Sequence, residues 1–463
     1  MRLALESDRW DADRIRAYQD AQLVAIVRLA AARVPFYRRL YAEHGVDVRR
    51  FRGAADLPEL PLITRDDVRA HGPELCVEGV PRWRTCSYTS GGTTAAVLTR
   101  MYGYRGLGWS VAGCIDALWH RVGVRPGDRM ALLRGDLCHE PGTLWQFDAQ
   151  VNQLILSSYH LTPERAREFI ALMKRYGVKW LHAYPSSAWA FATLIENHDL
   201  RFDVPLLGVL FGSEMLHPQQ HPVFRRVFGC PIYAHYGHRE QALLAGWCEG
   251  STDYHFLPVF GYVEFRPVAA AASDAGATHE LIGTGFLNRY MPMIRYATED
   301  FVEPAPPDPC PHCGRHHVRA RRILGRAQNF LVAADGTVLP YTNLELHSYH
   351  LTARYQFYQE VPGQVVFRFV PARRDGLAGT IAQLQRDFAG LQRLGLTVRV
   401  EPVDDLPRTW SGKDIVVVQK CPLPWERRGA DPRSRAGPPA ASHAPDATER
   451  DSTGVCAAPT DPC

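Results

Sequence analysis

Thr162-Pro-Glu-Arg-Ala-Arg-Glu-Phe-Ile-Ala-Leu-Met173, followed shortly by Lys179-Trp-Leu-His-Ala-Tyr184, is the stretch that decides the fold class. Thr162 suits a helix N-cap and Pro163 its first turn, because a hydroxyl can accept a free amide there and proline lacks the amide that would be left over. The apolar run that follows is short, as a buried strand is. Outward from it, Arg129-Met-Ala-Leu-Leu, Leu206-Leu-Gly-Val-Leu-Phe-Gly and Pro231-Ile-Tyr-Ala-His-Tyr repeat the pattern with helical segments between. Strands alternating with helices predict an α/β domain around a mostly parallel sheet.

Residues 1 to about 75 read as helical, since Asp20-Ala-Gln-Leu-Val-Ala-Ile-Val-Arg-Leu-Ala places apolar residues at helical spacing before Pro58 and Pro61 interrupt. Leu324-Gly-Arg-Ala-Gln-Asn reads as a junction. Beyond it come an Asp-Gly hairpin turn at Ala334-Asp-Gly-Thr, a strand Gln364-Val-Val-Phe-Arg-Phe-Val, a helix from Gly379 to Phe388 and a strand Leu396-Thr-Val-Arg-Val, together a small α+β domain. We therefore expect a large domain over 1–325, a small one over 326–423, and a disordered tail over 424–463, where large apolar residues almost vanish.

The chain has 463 residues with 46% hydrophobic and 22% charged, ordinary for a globular protein with more than one core. A net charge of +4, mixed in sign, gives no reason to expect nucleic acid. No run approaches the ~20 apolar residues of a membrane span, and the N-terminus lacks a signal-peptide pattern, so cytoplasm is the expected compartment. Eleven cysteines show no disulfide framework.

Four segments carry chemistry. Tyr88-Thr-Ser-Gly-Gly-Thr-Thr-Ala offers hydroxyls and a glycine backbone that can approach phosphate, although a plain surface loop reads the same way. Ala234-His-Tyr-Gly-His-Arg-Glu240 follows a strand with an aromatic suited to a flat base and a glutamate suited to Mg²⁺, or merely solvated. Pro292-Met-Ile-Arg-Tyr-Ala-Thr-Glu-Asp300 ends a strand on an aspartate that can take ribose hydroxyls, or sit in an ordinary turn. Leu406-Pro-Arg-Thr-Trp-Ser-Gly-Lys413 presents a lysine on a glycine turn, suited to an α-phosphate and a carboxylate.

In this order the segments, with the Gly325-Arg326 junction, resemble the motif set of the adenylate-forming superfamily. His182-Ala-Tyr-Pro-Ser-Ser and Gly212-Ser-Glu214 are similar to its phenylacetate–CoA ligase branch, which includes capsular polysaccharide biosynthesis proteins. The resemblance runs from about residue 25 to 420. It implies a large adenylate-forming domain with mostly parallel sheets and a small mobile C-terminal α+β domain. It implies that Ser90, Gly91, Gly92, Thr93 and Thr94 wrap ATP phosphates, that Gly212, Ser213, Glu214, Tyr236 and Gly237 frame adenine, and that Asp300 and Arg326 bind ribose. Glu240 would serve Mg²⁺, and Lys413, Glu240 and Thr93 would be the catalytic set. Three positions depart from the pattern: Ala95-Ala-Val in the loop, Glu299 in place of glycine, and Gln328 at the hinge.

The expected acid pocket contains Tyr184, Trp189, Phe211, His235 and His238, suited to an aromatic or flat acid, with His238 and Arg239 placed to meet a second carboxylate or a polar substituent. The acyl acceptor would be CoA, a carrier-protein thiol, an amine or a hydroxyl. Arg319, Arg321 and Arg322 would hold CoA phosphates or be solvated. A non-catalytic nucleotide-binding protein is the reading of another class, disfavoured because Glu240, Asp300, Arg326 and Lys413 all persist. The resemblance also makes a homodimer reasonable. Cys310-Pro-His-Cys313-Gly has the spacing of a zinc knuckle, with Cys248 and His255 as a second pair and His312, His316 and His317 as rivals for the fourth position. Such a zinc would pin an excursion over about 248–313 and take no part in catalysis.

Overall fold

A computed structural model describes residues 1–90, 99–134, 143–268, 279–326, 330–341, 348, 351–373, 375–408 and 414–421. Four helices come first: α1 (Arg2–Ser7), α2 (Ala12–Arg33), α3 (Pro35–Glu43) and α4 (Arg65–His71). Asp11 caps α2 by accepting from the Arg14 amide, and Thr64 and Asp67 close a capping box on α4. A two-stranded ribbon, β1 (Thr85–Ser90) and β2 (Thr99–Tyr104), leads into α5 (Leu107–Arg121).

The central sheet has twelve strands: β3 (Met130–Leu133), β4 (Trp145–Asp148), β5 (Gln153–Leu156), β6 (Trp180–Ala183), β7 (Gly208–Phe211), β8 (Ile232–Gly237), β9 (Leu244–Gly246), β10 (Tyr254–Phe256), β11 (Gly261–Pro267), β12 (His279–Gly285), β13 (Tyr296–Pro304) and β14 (Arg319–Arg326). Their spatial order is β11-β12-β13-β14-β10-β9-β8-β7-β6-β3-β5-β4. From β5 through β3, β6 and β7 to β8 every pair is parallel. The crossovers include α6 (Pro163–Arg175), α7 (Pro185–Asn197) and α8 (Gln220–Phe228). Thr162 accepts from the Arg165 amide and Pro163 opens α6, as the sequence indicates.

The expectation of a mostly parallel sheet needs correction on the other side of β8. There every pairing is antiparallel, and β4 also runs antiparallel at the far edge. Most of these neighbours follow one another in sequence without a crossover helix between them, and such links favour antiparallel pairing; β10 with β14, far apart in sequence, is the exception.

Both faces of the parallel half are covered, which explains its continuous apolar strands. Phe169, Phe191 and Phe224 from α6, α7 and α8 pack with Phe211 on one face. Leu118 and Trp119 from α5 pack with Trp180 and Leu210 on the other. At the β11 edge, the Gln19 amide of α2 donates to the Pro258 and Gly261 carbonyls, and Arg266–Glu280 and Arg295–Glu264 ion pairs flank the strand.

After β14 come a hairpin of β15 (Phe330–Val332) and β16 (Val338–Pro340), turning at Asp335-Gly336 with Gly336 at φ 86, and a four-stranded sheet. The sheet orders β19 (Thr397–Pro402), β18 (Gln364–Pro371), β17 (Thr352–Val361) and β20 (Val417–Gln419), and α9 (Leu377–Ala389) packs Phe388 on Phe367 with ring centroids 4.7 Å apart. Among the described residues, Trp189 Nε1 donates to the Thr352 carbonyl at 3.1 Å and His217 Nε2 meets the Tyr341 hydroxyl at 2.7 Å, tying this unit to the large sheet's helices and loops. A cavity of about 80 Å³ lies between them, lined by Glu214, Trp189, Arg354 and Asp414 among others.

Candidate active site

Open α/β sheets bind ligands beyond the carboxyl ends of their parallel strands, and β8 is where the parallel half ends. Tyr236, near the end of β8, donates its phenol to Asp300 Oδ2 at 2.6 Å. Arg326 lies directly across the ladder from Asp300 and donates Nε to its Oδ1 at 3.2 Å. The Thr298 hydroxyl accepts from the Asp300 amide, which fixes the carboxylate's backbone. Thus Tyr236, Asp300 and Arg326, distant in sequence, meet on three strands. Burial first, then the Asp300 carboxylate, holds the Tyr236 phenol protonated well above its usual range.

Glu240 lies beside this trio and is almost completely buried, so the solvated reading does not apply to it. Its Oε2 meets His238 Nδ1 at 3.1 Å. Burial by itself raises this carboxyl, but the His238 bond and the charges of His238, Arg326 and Arg65 outweigh it and bring the value down to about 2. The His238 ring stacks on Tyr296 at 6.0 Å. Its Nδ1 is thus engaged with Glu240, while its Nε2 is buried and has no hydrogen-bond partner among the described residues.

Glu214 also has a defined task. Its two oxygens accept from the Ser186 amide and hydroxyl, both at 3.0 Å, at the N-terminus of α7. A carboxylate there satisfies orphan amides and complements the helix dipole. Ser213, before it, adopts φ 66, so the loop turns sharply at the cavity between the two sheets. Gly212 is required for another reason: a Cβ there would stand 2.1 Å from the His235 ring. Gly91, Gly92, Thr93, Thr94, Ala95, Gln328 and Lys413 lie outside the described residues, as does the side chain of Ser90.

The five residues expected around the acid separate. Phe211 and Trp189 belong to the core face that holds Phe224, with centroids 4.9 and 6.1 Å from its ring. His235 is on the opposite face against Trp119 of α5, at 4.9 Å. Tyr184 stands over the end of that face, with the Arg134 guanidinium 5.4 Å from its ring. The basic trio is not a free phosphate cradle. Arg319 is buried on Asp253, while Arg321 and Arg322 share Glu303.

Away from this site, Cys248, His255, Cys310 and Cys313 place one ligand atom each within 4.8 Å of one another. A zinc tetrahedron with bonds of ~2.0–2.3 Å needs edges of roughly 3.3–3.8 Å, a modest contraction. His255 Nδ1 meets the Asp253 carbonyl at 3.0 Å, which leaves Nε2 facing the thiols, 3.4 Å from Cys313 Sγ. Cys313 is held far below the ordinary thiol range, chiefly by the Cys248 thiol, with His255 and Arg315 assisting. Of the rival histidines, His317 turns instead to the Ser7 carbonyl and Asp8.

No family model matches the chain. Among curated proteins it is 21% identical over 314 residues to Protein CapK of Staphylococcus aureus, covering 67% of each chain. It is 26% identical over 345 residues to a phenylacetate–coenzyme A ligase of Thermus thermophilus, covering 71% of this chain and 74% of that one. Among solved structures, a 2-hydroxyisobutyryl-CoA ligase in its postadenylation state superposes with a TM-score of 0.69 at 15% identity, over 92% of this chain and 94% of that one. These likenesses support the adenylate-forming superfamily, in its phenylacetate–CoA ligase-like branch.

Sequence reasoning missed several residues at the site. Arg65, from α4, lies near Glu240 and Glu299. Thr298 sat inside a quoted motif without a role. Arg134, 4% exposed, ends the apolar run of β3, where a charged residue reads as the start of a loop. His182 was part of the family motif, yet its environment depends on Trp119 and His235, which no local pattern links to it.

Proposed function

We propose that this chain activates a carboxylic acid with ATP, forming an acyl-adenylate and pyrophosphate, and passes the acyl group to the thiol of CoA. The observation that carries the reading is the meeting of Tyr236, Asp300 and Arg326 beside the buried Glu240–His238 pair. Tyr236 offers a flat ring for adenine. The Asp300 oxygens, aligned by Tyr236 and Arg326, suit the ribose hydroxyls. Glu240 is ionised and has one oxygen left after bonding His238, a hard donor of the kind Mg²⁺ takes. Attack of a carboxylate on an α-phosphate brings two anions together, so Lys413 would act by neutralising charge and holding alignment.

In this reading 1–325 form the nucleotide-binding domain and 326–423 a lid that carries Lys413. A lid suits two half-reactions at one site, since it can present a different face to each. Ser90, Gly91, Gly92, Thr93 and Thr94 would hold the phosphates. Glu214 would border the adenine while capping α7. We further propose that Cys248, His255, Cys310 and Cys313 hold a structural Zn²⁺. No described helix is long and apolar enough to cross a membrane.

Acid-dependent exchange of labelled pyrophosphate into ATP, across aryl, alkyl and hydroxy acids, tests the first half-reaction. Exchange with one class of acid, lost in Lys413→Ala, is expected. CoA then converts the bound adenylate to a thioester and AMP. Exchange that survives Lys413→Ala, or none with any acid, would overturn the assignment.

A further inference from the structure

Three nitrogen-bearing side chains line the face of the sheet that α5 covers. Arg134, His182 and His235 stand at the carboxyl ends of β3, β6 and β8 and are all nine-tenths or more buried. The rings of His182 and His235 lie 6.2 Å apart, and both pack edge-on to Trp119, at 5.8 and 4.9 Å. Tyr88, which leads into the Ser/Thr/Gly loop, packs on the same cluster, and Tyr236 follows His235 directly. The group therefore lies between Tyr88 of β1 and Tyr236 of the segment proposed for adenine. That is where the acid must reach to meet the α-phosphate.

Within this group His182 Nε2 is buried and has no hydrogen-bond partner among the described residues. Burial first, then the charge of Arg134, keeps the ring neutral well below the ordinary histidine range. An unmet polar atom in an interior costs about 1–3 kcal/mol and persists where a ligand supplies the missing partner. The nearby guanidinium makes the local field positive, which favours an approaching oxygen lone pair over an apolar group.

We propose that the acid recognised here carries, besides the carboxylate that is adenylated, an oxygen on its acyl chain (hydroxyl or carbonyl) that bonds to His182 Nε2. This rests on the adenylation reading above. It differs from a wholly apolar aryl or alkyl acid, which would leave the nitrogen unmet. His235 stands beside His182, its ring occupying the space that a side chain at Gly212 would take. Arg134 biases the field.

The test uses matched pairs of acids that differ only by that oxygen, assayed by pyrophosphate exchange with wild type, His182→Leu and His182→Gln. Wild type should favour the oxygenated member by about tenfold or more in kcat/KM. His182→Leu should abolish the preference while exchange with the apolar member holds or rises, and His182→Gln, which keeps a donor, should retain part of it. Equal use of both members by wild type, or preference for the apolar one, overturns the proposal while leaving adenylation standing. The same holds for a preference unchanged in a folded His182→Leu. The wild-type comparison decides even where the leucine variant does not fold. No exchange with any acid overturns adenylation itself, and the pocket assignment with it.

Discussion

Glu299 adopts φ 61, in the left-handed region where an L residue costs about 1–2 kcal/mol over glycine. Its carboxyl is also raised, by burial first, with Arg65 and Arg326 opposing. A raised carboxyl is neutral in both states at low pH. It destabilises the fold progressively as pH rises from the unfolded value through the folded one. Glu299→Gly should therefore stabilise the protein by about 1 kcal/mol net of the extra entropy of an unfolded glycine. The gain should be larger at pH 8 than at pH 4, read by denaturant unfolding, with Glu299→Gln recovering only the pH-dependent part. A gain that is flat with pH, or a loss, would show that the residue's ion pairs outweigh its strain. The departure from glycine was visible in the sequence; the sign of its consequence needed the backbone angle and the burial. Arg134 shows the opposite limit, since its identity was plain while its burial against Tyr184 came from strands and a helix far along the chain.

Lys413 falls in the sequence between β19 and β20, and one buried side chain holds the described residues on either side of it. Arg354 of β17 donates to Asp414 at 2.8 Å, to the Leu406 carbonyl at 2.7 Å, and to Asp405. Arg408 and Asp414 form an isolated bridge, and Arg408 reaches over Tyr159. On the proposed reading Arg354 is a positioning residue, acting on Lys413 through these flanking contacts. Arg354→Ala should lower kcat for pyrophosphate exchange by about a hundredfold with KM for ATP nearly unchanged, and Arg354→Lys should recover part of the loss. A rise in KM alone would contradict this. At this scale much was legible: the capped α6, the Asp-Gly hairpin and the strands of the small sheet follow local signals. The antiparallel half was not, because β13 and β14 pair with register shifts and β10 meets β14 across a long stretch of chain. Such pairing leaves no local periodicity to read.

Across the whole molecule, the Cys/His cluster ties β10 to the knuckle before β14, and Arg315 there pairs with Asp8 just after α1. If a metal closes the cluster, it joins two distant parts of the chain, and the Arg315–Asp8 pair ties a third to them. Purified protein should then contain about one zinc per chain, and its removal by a chelator should lower the melting temperature by more than ~5 °C. Cys313→Ser should do the same without altering the preference among acids. A metal-free protein indifferent to chelators would make the four residues plain buried thiols and a histidine. All four residues were named from the sequence, with His312, His316 and His317 as rivals; what the sequence lacks is the Asp253 carbonyl that orients the His255 ring.

The ends of the long sheet have a bearing on solubility. Any open sheet finishes in unpaired backbone groups that can recruit a strand from another molecule. Here one end, β4, is only four residues long. The other, β11, carries Glu264, Arg266 and Pro267, with the Gln19 amide already on the Gly261 carbonyl. Charge, proline and a borrowed amide make both ends poor templates. The largest element of this protein is thus protected from growing, copy by copy, into a fibre.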